Sequence, residues 1–265
     1  NIPVYTFNGD ITSPKEKILI YIHGGSYAKQ AMSLQINVAK KIARNTNSTL
    51  IMPIYTLIPD GDYKKMYKDI EQIYTSLLSM EKEINFLGDS AGAGFSVGFS
   101  MYLRNKDIQR PKKLILLSPW VDVSLNNEEL IESEKKDNLL AITGNKYCGE
   151  IWSNNEPKNW MVSPIYGDFS NLCETTFIVG TDELILLDGR RFKEMAQEIN
   201  HKLNYYEFEH MHHVFPLFPI PEANEVWDIV LPILTGNRLE GIKRRPLRKK
   251  NPYRSYTKKR ESHNL

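Results

Sequence analysis

The stretch Ile84-Asn85-Phe86-Leu87-Gly88-Asp89-Ser90-Ala91-Gly92-Ala93-Gly94 decides the fold of this 265-residue chain. Its first four residues are mostly apolar and predict a buried strand, while the small and apolar residues after Gly94 predict a helix. Between them, glycines two positions either side of Ser90 allow a very tight turn. Such a turn lifts the serine hydroxyl above the sheet edge at a helix N-terminus, whose amides favour developing negative charge. We therefore predict a catalytic serine at Ser90; the alternative is a structural Gly/Ser turn.

The same alternation of strand and helix continues along the chain. Further buried strands are predicted at Lys17–Ile22, Thr49–Ile54, Leu114–Leu117 and Thr176–Val179, and a strand of more alternating pattern at Leu203–Phe208. Between them, apolar residues recur at helical spacing, and Glu222–Leu234 is the predicted closing helix. Strand–helix–strand repetition implies parallel strands joined by crossover helices, so the predicted fold class is α/β with a mostly parallel central sheet flanked by helices.

One segment interrupts this rhythm and suggests how the chain is divided. Residues 123–164 contain no clear strand, and they predict a small lid insertion that covers the carboxyl ends of the strands. Residues 1–242 are predicted to form one domain that includes this lid, and residues 243–265 a basic, flexible tail. The lid holds Tyr147, Trp152, Trp160 and Met161, which predict either a modest apolar pocket for short acyl groups, acetyl to hexanoyl, or simply the core of the lid.

A second motif follows the strand Lys17–Ile22. There His23-Gly24-Gly25-Ser26 places two glycines where backbone amides can turn towards a substrate oxygen. Amides arranged in this way stabilise an oxyanion. We expect the donors to be Gly25 and Ser26, with Gly24 a further candidate and Ala91 the remaining one. His23 precedes the serine and is predicted to anchor the loop.

A catalytic serine needs a base, and the histidines after Ser90 are the candidates. His201 and His263 are predicted to lie at the surface, which leaves the cluster His210, His212 and His213 after the strand Leu203–Phe208. We choose His213. His212 is the second candidate and His210 the third, and both stay open because spacing alone does not separate neighbours. The cluster could also bind a metal, but no helix or carboxylate spacing supports a metal site.

The acid that orients the histidine should follow a strand between the serine and the histidine. Gly180-Thr181-Asp182-Glu183 follows the strand Thr176–Val179, and we predict Asp182 as the acid. Glu183 is expected either to contact the site residues without contacting the substrate or to be exposed. Asp188 is expected to cap a helix that begins near Arg190. Asp89 is too constrained by the turn to reach the histidine and is predicted to accept structural hydrogen bonds.

Composition excludes several classes of protein. Charged residues make up 25% of the chain and no apolar run approaches the length of a membrane-spanning helix, which argues against wholesale disorder and an integral membrane protein. Cys148 and Cys173 do not form a disulfide framework and show no metal-binding spacing, so both are expected to be free.

Charge is distributed unevenly. Ten Lys or Arg residues and one acid lie in 243–265, although the whole chain carries only +2, so the rest of the chain is acidic. Such a tail is usually a solvated polycation, and it could also contact an anionic membrane or a cell-wall polymer. No nucleic-acid partner is expected. The compartment is cytoplasmic by default, with export or membrane anchoring if a segment precedes Asn1.

Five motifs in this order resemble the hormone-sensitive-lipase-like esterase/lipase group of α/β-hydrolases, over roughly residues 4–235. They are His-Gly-Gly-Ser at 23–26, Gly-Asp-Ser-Ala-Gly at 88–92, Leu-Ser-Pro-Trp-Val-Asp at 117–122, Gly-Thr-Asp-Glu-Leu at 180–184 and His-Val-Phe at 213–215. The resemblance implies an α/β-hydrolase fold with an eight-stranded type of sheet, no metal or organic cofactor, and a small-molecule ester as substrate. It also favours Ser90, Asp182 and His213 as the triad.

Two departures and three alternatives accompany this resemblance. The family usually has glycine at the positions of Ser26 and Ala93; the amide of Ser26 can still donate, and its side chain would narrow the acyl pocket. Within the hydrolases, an amidase such as an arylformamidase, a peptidase or a lipase stays open. From other classes, a ligand receptor that has lost catalysis and a nucleic-acid or membrane-surface module that uses the tail are the alternatives.

Overall fold

The computed structural model describes residues 2–199 and 201–236. The basic segment 243–265, and with it the predicted contact to an anionic surface, lies outside the described residues. In the described part of the chain, no helix is both long enough and apolar enough to cross a membrane.

A twisted sheet of seven strands forms the centre of the described structure. Its order is β1-β3-β2-β4-β5-β6-β7, in which β1 is antiparallel to β3 and the other neighbours are parallel. The strands are β1 (Val4–Phe7), β2 (Lys17–Ile22), β3 (Thr49–Pro53), β4 (Glu83–Asp89), β5 (Lys113–Leu117), β6 (Glu174–Gly180) and β7 (Leu203–Phe208).

Helices connect these strands. They are α1 (Ser33–Asn45), α2 (Tyr63–Leu78), α3 (Ser90–Asn105), α4 (Leu130–Glu134), α5 (Ile142–Trp152), α6 (Leu186–Glu198) and α7 (Pro221–Thr235). The short α4 and the longer α5 both lie in the segment predicted as a lid, between β5 and β6.

Apolar side chains cover both faces of the sheet. In β2, Ile18, Ile20 and Ile22 pack on the face that α2, α3 and α6 cover, while Leu19 and Tyr21 pack on the face that α1 and α7 cover. This alternation follows from the two-residue period of a strand, and burial on both faces explains why the strands are continuous apolar runs.

The topology gathers the functional loops at one edge. The loops after β2, β4, β5, β6 and β7 all leave the carboxyl ends of parallel strands. Strand order also reverses between β2 and β4, where the chain passes from one side of the sheet to the other. Ligands of α/β sheets bind at such a switch point, and Ser90 lies there.

The predicted fold class is confirmed, with differences at the edges. Strand β1 was not among the predicted strands; it is an edge strand, in which Tyr5 is exposed and the other three residues are partly buried. Four other strands have different bounds from those predicted, and α6 begins at Leu186 rather than near Arg190. The described residues contain seven strands, not the eight that the resemblance implied.

Candidate active site

The turn at Ser90 has the strained backbone expected of a nucleophilic serine between a strand and a helix. Ser90 is the first residue of α3, directly after β4, and its φ of 51° lies in the left-handed region that L-residues seldom adopt. A Cβ at Gly88 would lie 2.6 Å from the backbone nitrogen of Ala93, so only glycine fits there. The turn therefore depends on its glycines, and it presents the serine at the N-terminus of a buried helix.

A hydrogen-bonded chain of three side chains begins at this serine. Ser90 Oγ lies 2.9 Å from His213 Nε2, and His213 Nδ1 lies 2.9 Å from Glu183 Oε2. All three residues are buried. Since a carboxylate only accepts, Nδ1 carries the proton and Nε2 is left to accept the serine hydroxyl. This is the tautomer that a general base requires.

Asp182, which the sequence analysis selected as the acid, does not contact His213. Its carboxylate points outwards and lies 3.5 Å from Nδ1 of the exposed His210. In the turn after β6, the amide of Asp182 donates to the carbonyl of Met211. The longer side chain of the next residue, Glu183, reaches the histidine.

Ser118, which is not among the predicted site residues, links Glu183 to the loop that carries His213. Its hydroxyl donates to Glu183 Oε1 at 2.7 Å and accepts the amide of Val214 at 3.0 Å. Glu183 Oε1 also accepts the amide of Gly180 at 2.6 Å. Both oxygens of the buried carboxylate are therefore held, which fixes the histidine that they orient. The signal in the sequence was Ser118 itself, which directly follows β5.

The neighbouring histidines occupy different environments. His212 Nδ1 contacts the carbonyl of His213, and its ring packs edge-on against Phe218. The side chain of His210 is 78% exposed and lies beside Asp182. Of the three clustered histidines, the structure brings only His213 to the serine. Among residues 2–199 and 201–236, no group of His, Cys, Asp and Glu side chains could hold a metal ion.

The loop after β2 carries the amides expected to bind an oxyanion. Gly25, Ser26 and Tyr27 have φ values of 118°, 53° and 59°. Within the described residues, the amides of Gly25 and Ser26 donate no hydrogen bond to the protein. The amide of Ala91 lies in the first turn of α3. These three amides are the candidate donors for an oxyanion.

The carboxylate of Asp89 lies beside Gly24 and binds two buried side chains. It accepts hydrogen bonds from Tyr21 Oη at 2.8 Å and Gln35 Nε2 at 2.9 Å. Burial raises the pKa of Asp89, and these hydrogen bonds oppose that rise. Asp89 thus accepts structural hydrogen bonds, as expected, and Gly24 stays a candidate donor.

His23, Asp188 and the two cysteines lie outside the hydrogen-bonded chain at Ser90. His23 packs face to face on Tyr55 and contacts the carbonyl of Gly24 at 2.8 Å, and burial lowers its pKa. Asp188 lies inside the first turn of α6 and is not its N-cap, because the helix begins at Leu186. Burial raises the pKa of Asp188 to about 7, and the charge of Asp122 adds to that rise. Cys148 and Cys173 are both free.

A narrow cavity adjoins Ser90, and no part of it is wide enough for a water molecule. Its walls are mostly apolar and consist of Ser90, Trp120, Leu125, Leu140, Asn145, Leu184 and Ile185.

The four lid residues predicted as possible pocket walls do not line this cavity. Trp152 is buried against Tyr27, Trp160 and Met161 are partly buried against the core, and the side chain of Tyr147 is exposed. Trp152, Trp160 and Met161 therefore pack as core residues, which was the alternative prediction for them.

A family model and several curated proteins resemble this chain. A family model described as the alpha/beta hydrolase fold matches residues 19–217. A protein of Acinetobacter venetianus named Esterase is 29% identical over 218 residues, which cover 79% of this chain and 71% of that protein. An Acetyl-hydrolase of Streptomyces hygroscopicus is 23% identical over 233 residues, which cover 86% and 78%.

A solved structure agrees in fold. An esterase from the bacterial hormone-sensitive lipase family superposes with a TM-score of 0.80 at 22% identity, over 89% of this chain and 84% of that chain. The family model covers more than half of the chain, and the sheet order and the turn at Ser90 fit it. The chain therefore belongs to the α/β-hydrolase family, as the resemblance of its motifs predicted.

Proposed function

We propose that this chain, an ester hydrolase, is a serine carboxylesterase that removes short acyl groups from small-molecule esters through an acyl-enzyme. The observation that carries the proposal is the unbroken chain from Ser90 Oγ through His213 to Glu183 at a strained turn. In this proposal the acid of the triad is Glu183 and not the predicted Asp182, because Glu183 Oε2 lies beside His213 Nδ1.

In the first half of the reaction, Ser90 Oγ attacks the ester carbonyl while His213 Nε2 takes its proton. Glu183 keeps the proton of His213 on Nδ1 and stabilises the imidazolium that forms. The amides of Gly25, Ser26 and Ala91 donate to the oxygen on which negative charge develops. His213 then protonates the leaving alcohol, and an acyl group remains on the serine.

In the second half, water takes the place of the alcohol. His213 removes a proton from the water, which attacks the acyl carbonyl. The bond between the acyl carbon and Ser90 Oγ then breaks, His213 returns the proton to Oγ, and the carboxylic acid leaves. The same amides hold the second oxyanion. The chain's own side chains supply each proton transfer in this cycle.

The size of the cavity beside Ser90 supports the preference for short acyl groups. Its walls are apolar and it is too narrow for water, so each added methylene must displace packed side chains. An acetyl group requires the least displacement. The Streptomyces hygroscopicus relative is named Acetyl-hydrolase, which is consistent with this preference.

A chain-length series tests the proposal. The protein is assayed with p-nitrophenyl esters from acetate to decanoate and with the corresponding p-nitroanilides, and Ser90→Ala serves as the inactive control. We expect kcat/KM to be highest for acetate and to fall with each added pair of carbons, with little anilide cleavage. A maximum at octanoate or longer would contradict the acyl preference, and faster anilide cleavage would favour the amidase alternative.

A further inference from the structure

The oxyanion loop is tied to the lid by a side-chain hydrogen bond that neither the motifs nor the proposed mechanism requires. Ser26 Oγ donates to Asn145 Oδ1 at 2.7 Å, across 119 residues of chain. Asn145 lies in the first turns of α5 and also lines the cavity beside Ser90. The bond therefore joins helix α5 directly to a residue whose amide is proposed to bind the oxyanion.

The orientation of Asn145 is itself fixed. Its Nδ2 donates to the carbonyl of Ala141 at 2.9 Å, so its amide oxygen faces Ser26. Exchanging the two atoms would set the amide oxygen of Asn145 against the carbonyl oxygen of Ala141. Asn145 is thus a preset acceptor for the hydroxyl of Ser26.

Ser26 depends on such support because its backbone is in an unfavourable conformation. Its φ of 53° is left-handed, as is that of Tyr27 at 59°. Residues with a side chain seldom adopt this region unless their surroundings hold them there. A fixed Ser26 side chain fixes the peptide plane before it, and with that plane the direction of the Ser26 amide.

The other end of α5 holds the next residue of the same loop. The rings of Tyr27 and Trp152 are stacked with centroids 3.9 Å apart, and Tyr27 Oη donates to the carbonyl of Ala91 at 2.8 Å. Two adjacent left-handed residues are therefore each held by a residue of α5, one at either end of the helix. Helix α5 is part of the support of the oxyanion loop and not only a cover.

We propose that Asn145 is a positioning residue that acts through Ser26 to align the oxyanion-binding amides, so that docking of α5 completes the catalytic site. This inference rests on the proposed function, because it concerns the step in which those amides bind the oxyanion. It assigns Asn145 no contact with the reacting atoms. If it is right, removal of Asn145 changes catalysis only while Ser26 has its hydroxyl.

A double-mutant cycle tests this dependence. Wild type, Ser26→Ala, Asn145→Ala and the double variant are assayed with p-nitrophenyl acetate, with kcat and KM measured separately. We expect each single variant to lose about tenfold in kcat with little change in KM, since an amide that binds the oxyanion acts in the transition state. The double variant should lose no more than either single one.

Two further measurements separate positioning from general damage. The affinity of a small alkyl boronic acid, which forms a tetrahedral anion on the serine, should fall in parallel with kcat. Thermal unfolding of each variant checks that the protein is folded. The matched control is Tyr147→Ala, which removes another α5 side chain, one that is 65% exposed, and should leave kcat and boronic acid affinity unchanged.

The outcomes distinguish this inference from the function on which it rests. If wild type is active and the losses of the two single variants multiply in the double variant, Asn145 acts independently of Ser26 and the inference is overturned. A rise in KM alone would overturn it as well, since it would mark a direct contact with the substrate. If folded wild type hydrolyses no ester, the proposed function fails and the inference fails with it.

Discussion

Glu183→Gln is the substitution that most directly separates the observed site from the predicted one. The side chain of Glu183 is fully buried, and its two oxygens meet His213, Ser118 and the amide of Gly180. Glutamine has the same shape, and its oxygen can still accept from Ser118 and Gly180. Its NH₂ group then faces His213 Nδ1, and because it can only donate, it forces the imidazole proton onto Nε2.

A proton on Nε2 prevents His213 from accepting the proton of Ser90. In a serine protease, the analogous change from carboxylate to amide lowers kcat by about 10⁴. We expect a loss of about 10³ to 10⁴ in kcat/KM here, which corresponds to roughly 4–5.5 kcal/mol in the activation free energy at 1.36 kcal/mol per factor of ten. The fold should remain, since all other contacts of the side chain can be kept.

The assay is hydrolysis of p-nitrophenyl acetate, with near-ultraviolet circular dichroism as the check on folding. Asp182→Asn is the matched control, because it makes the same chemical change one residue away, on a side chain that points outwards. We expect it to change kcat/KM by less than about threefold, as is usual for a surface substitution. A large loss in Asp182→Asn together with a small loss in Glu183→Gln would refute the assignment of the acid.

Three more substitutions test other parts of the site. Ser118→Ala leaves one oxygen of Glu183 and the amide of Val214 without their shared partner. The free energy of unfolding, measured in urea, should therefore fall by about 1–3 kcal/mol, and kcat should fall roughly tenfold with KM nearly unchanged. An unchanged kcat would show that Ser118 does not position the acid. Leu140→Ala removes a cavity wall and should move the preferred substrate from acetate towards longer acyl chains in a kcat/KM series, whereas an unchanged preference would show that this cavity does not hold the acyl group. Asp188 has a folded-state pKa of about 7, above its ordinary value of 3.8, so the folded protein binds a proton that the unfolded chain lacks and its stability falls as pH rises from about 4 to 7. Asp188→Asn should remove that fall and raise stability at pH 8 by up to about 4 kcal/mol while changing it little at pH 4; equal effects at both pH values in denaturant titrations would contradict the pKa.

Local sequence could predict the features that depend on neighbouring residues. The turn at Ser90 needs small residues at 88 and 92, and the strand before it needs an apolar run, so both were visible in the sequence. The order of strands and helices followed from the same patterns. His213 was chosen from three clustered histidines partly through the resemblance to a family, since spacing alone does not show which of them faces the serine.

Contacts between distant segments could not be predicted in this way. Whether Asp182 or Glu183 faces the histidine depends on how the turn after β6 packs against the loop after β7, where the amide of Asp182 meets the carbonyl of Met211. Ser118 and Asn145 acquire their positions only when β5 and α5 are packed against the loops around Ser90. The sequence shows each of these residues, but not the partner that gives it a role.

The most direct test of the central claim is reaction with a small fluorophosphonate, followed by intact mass and peptide mapping, on wild type and His213→Ala. The account predicts one adduct per chain, on the peptide that contains Ser90, and a labelling rate that falls at least a hundredfold in the variant. Folded wild type that forms no adduct, or that forms it elsewhere, would contradict the claim that Ser90 and His213 form a working nucleophile.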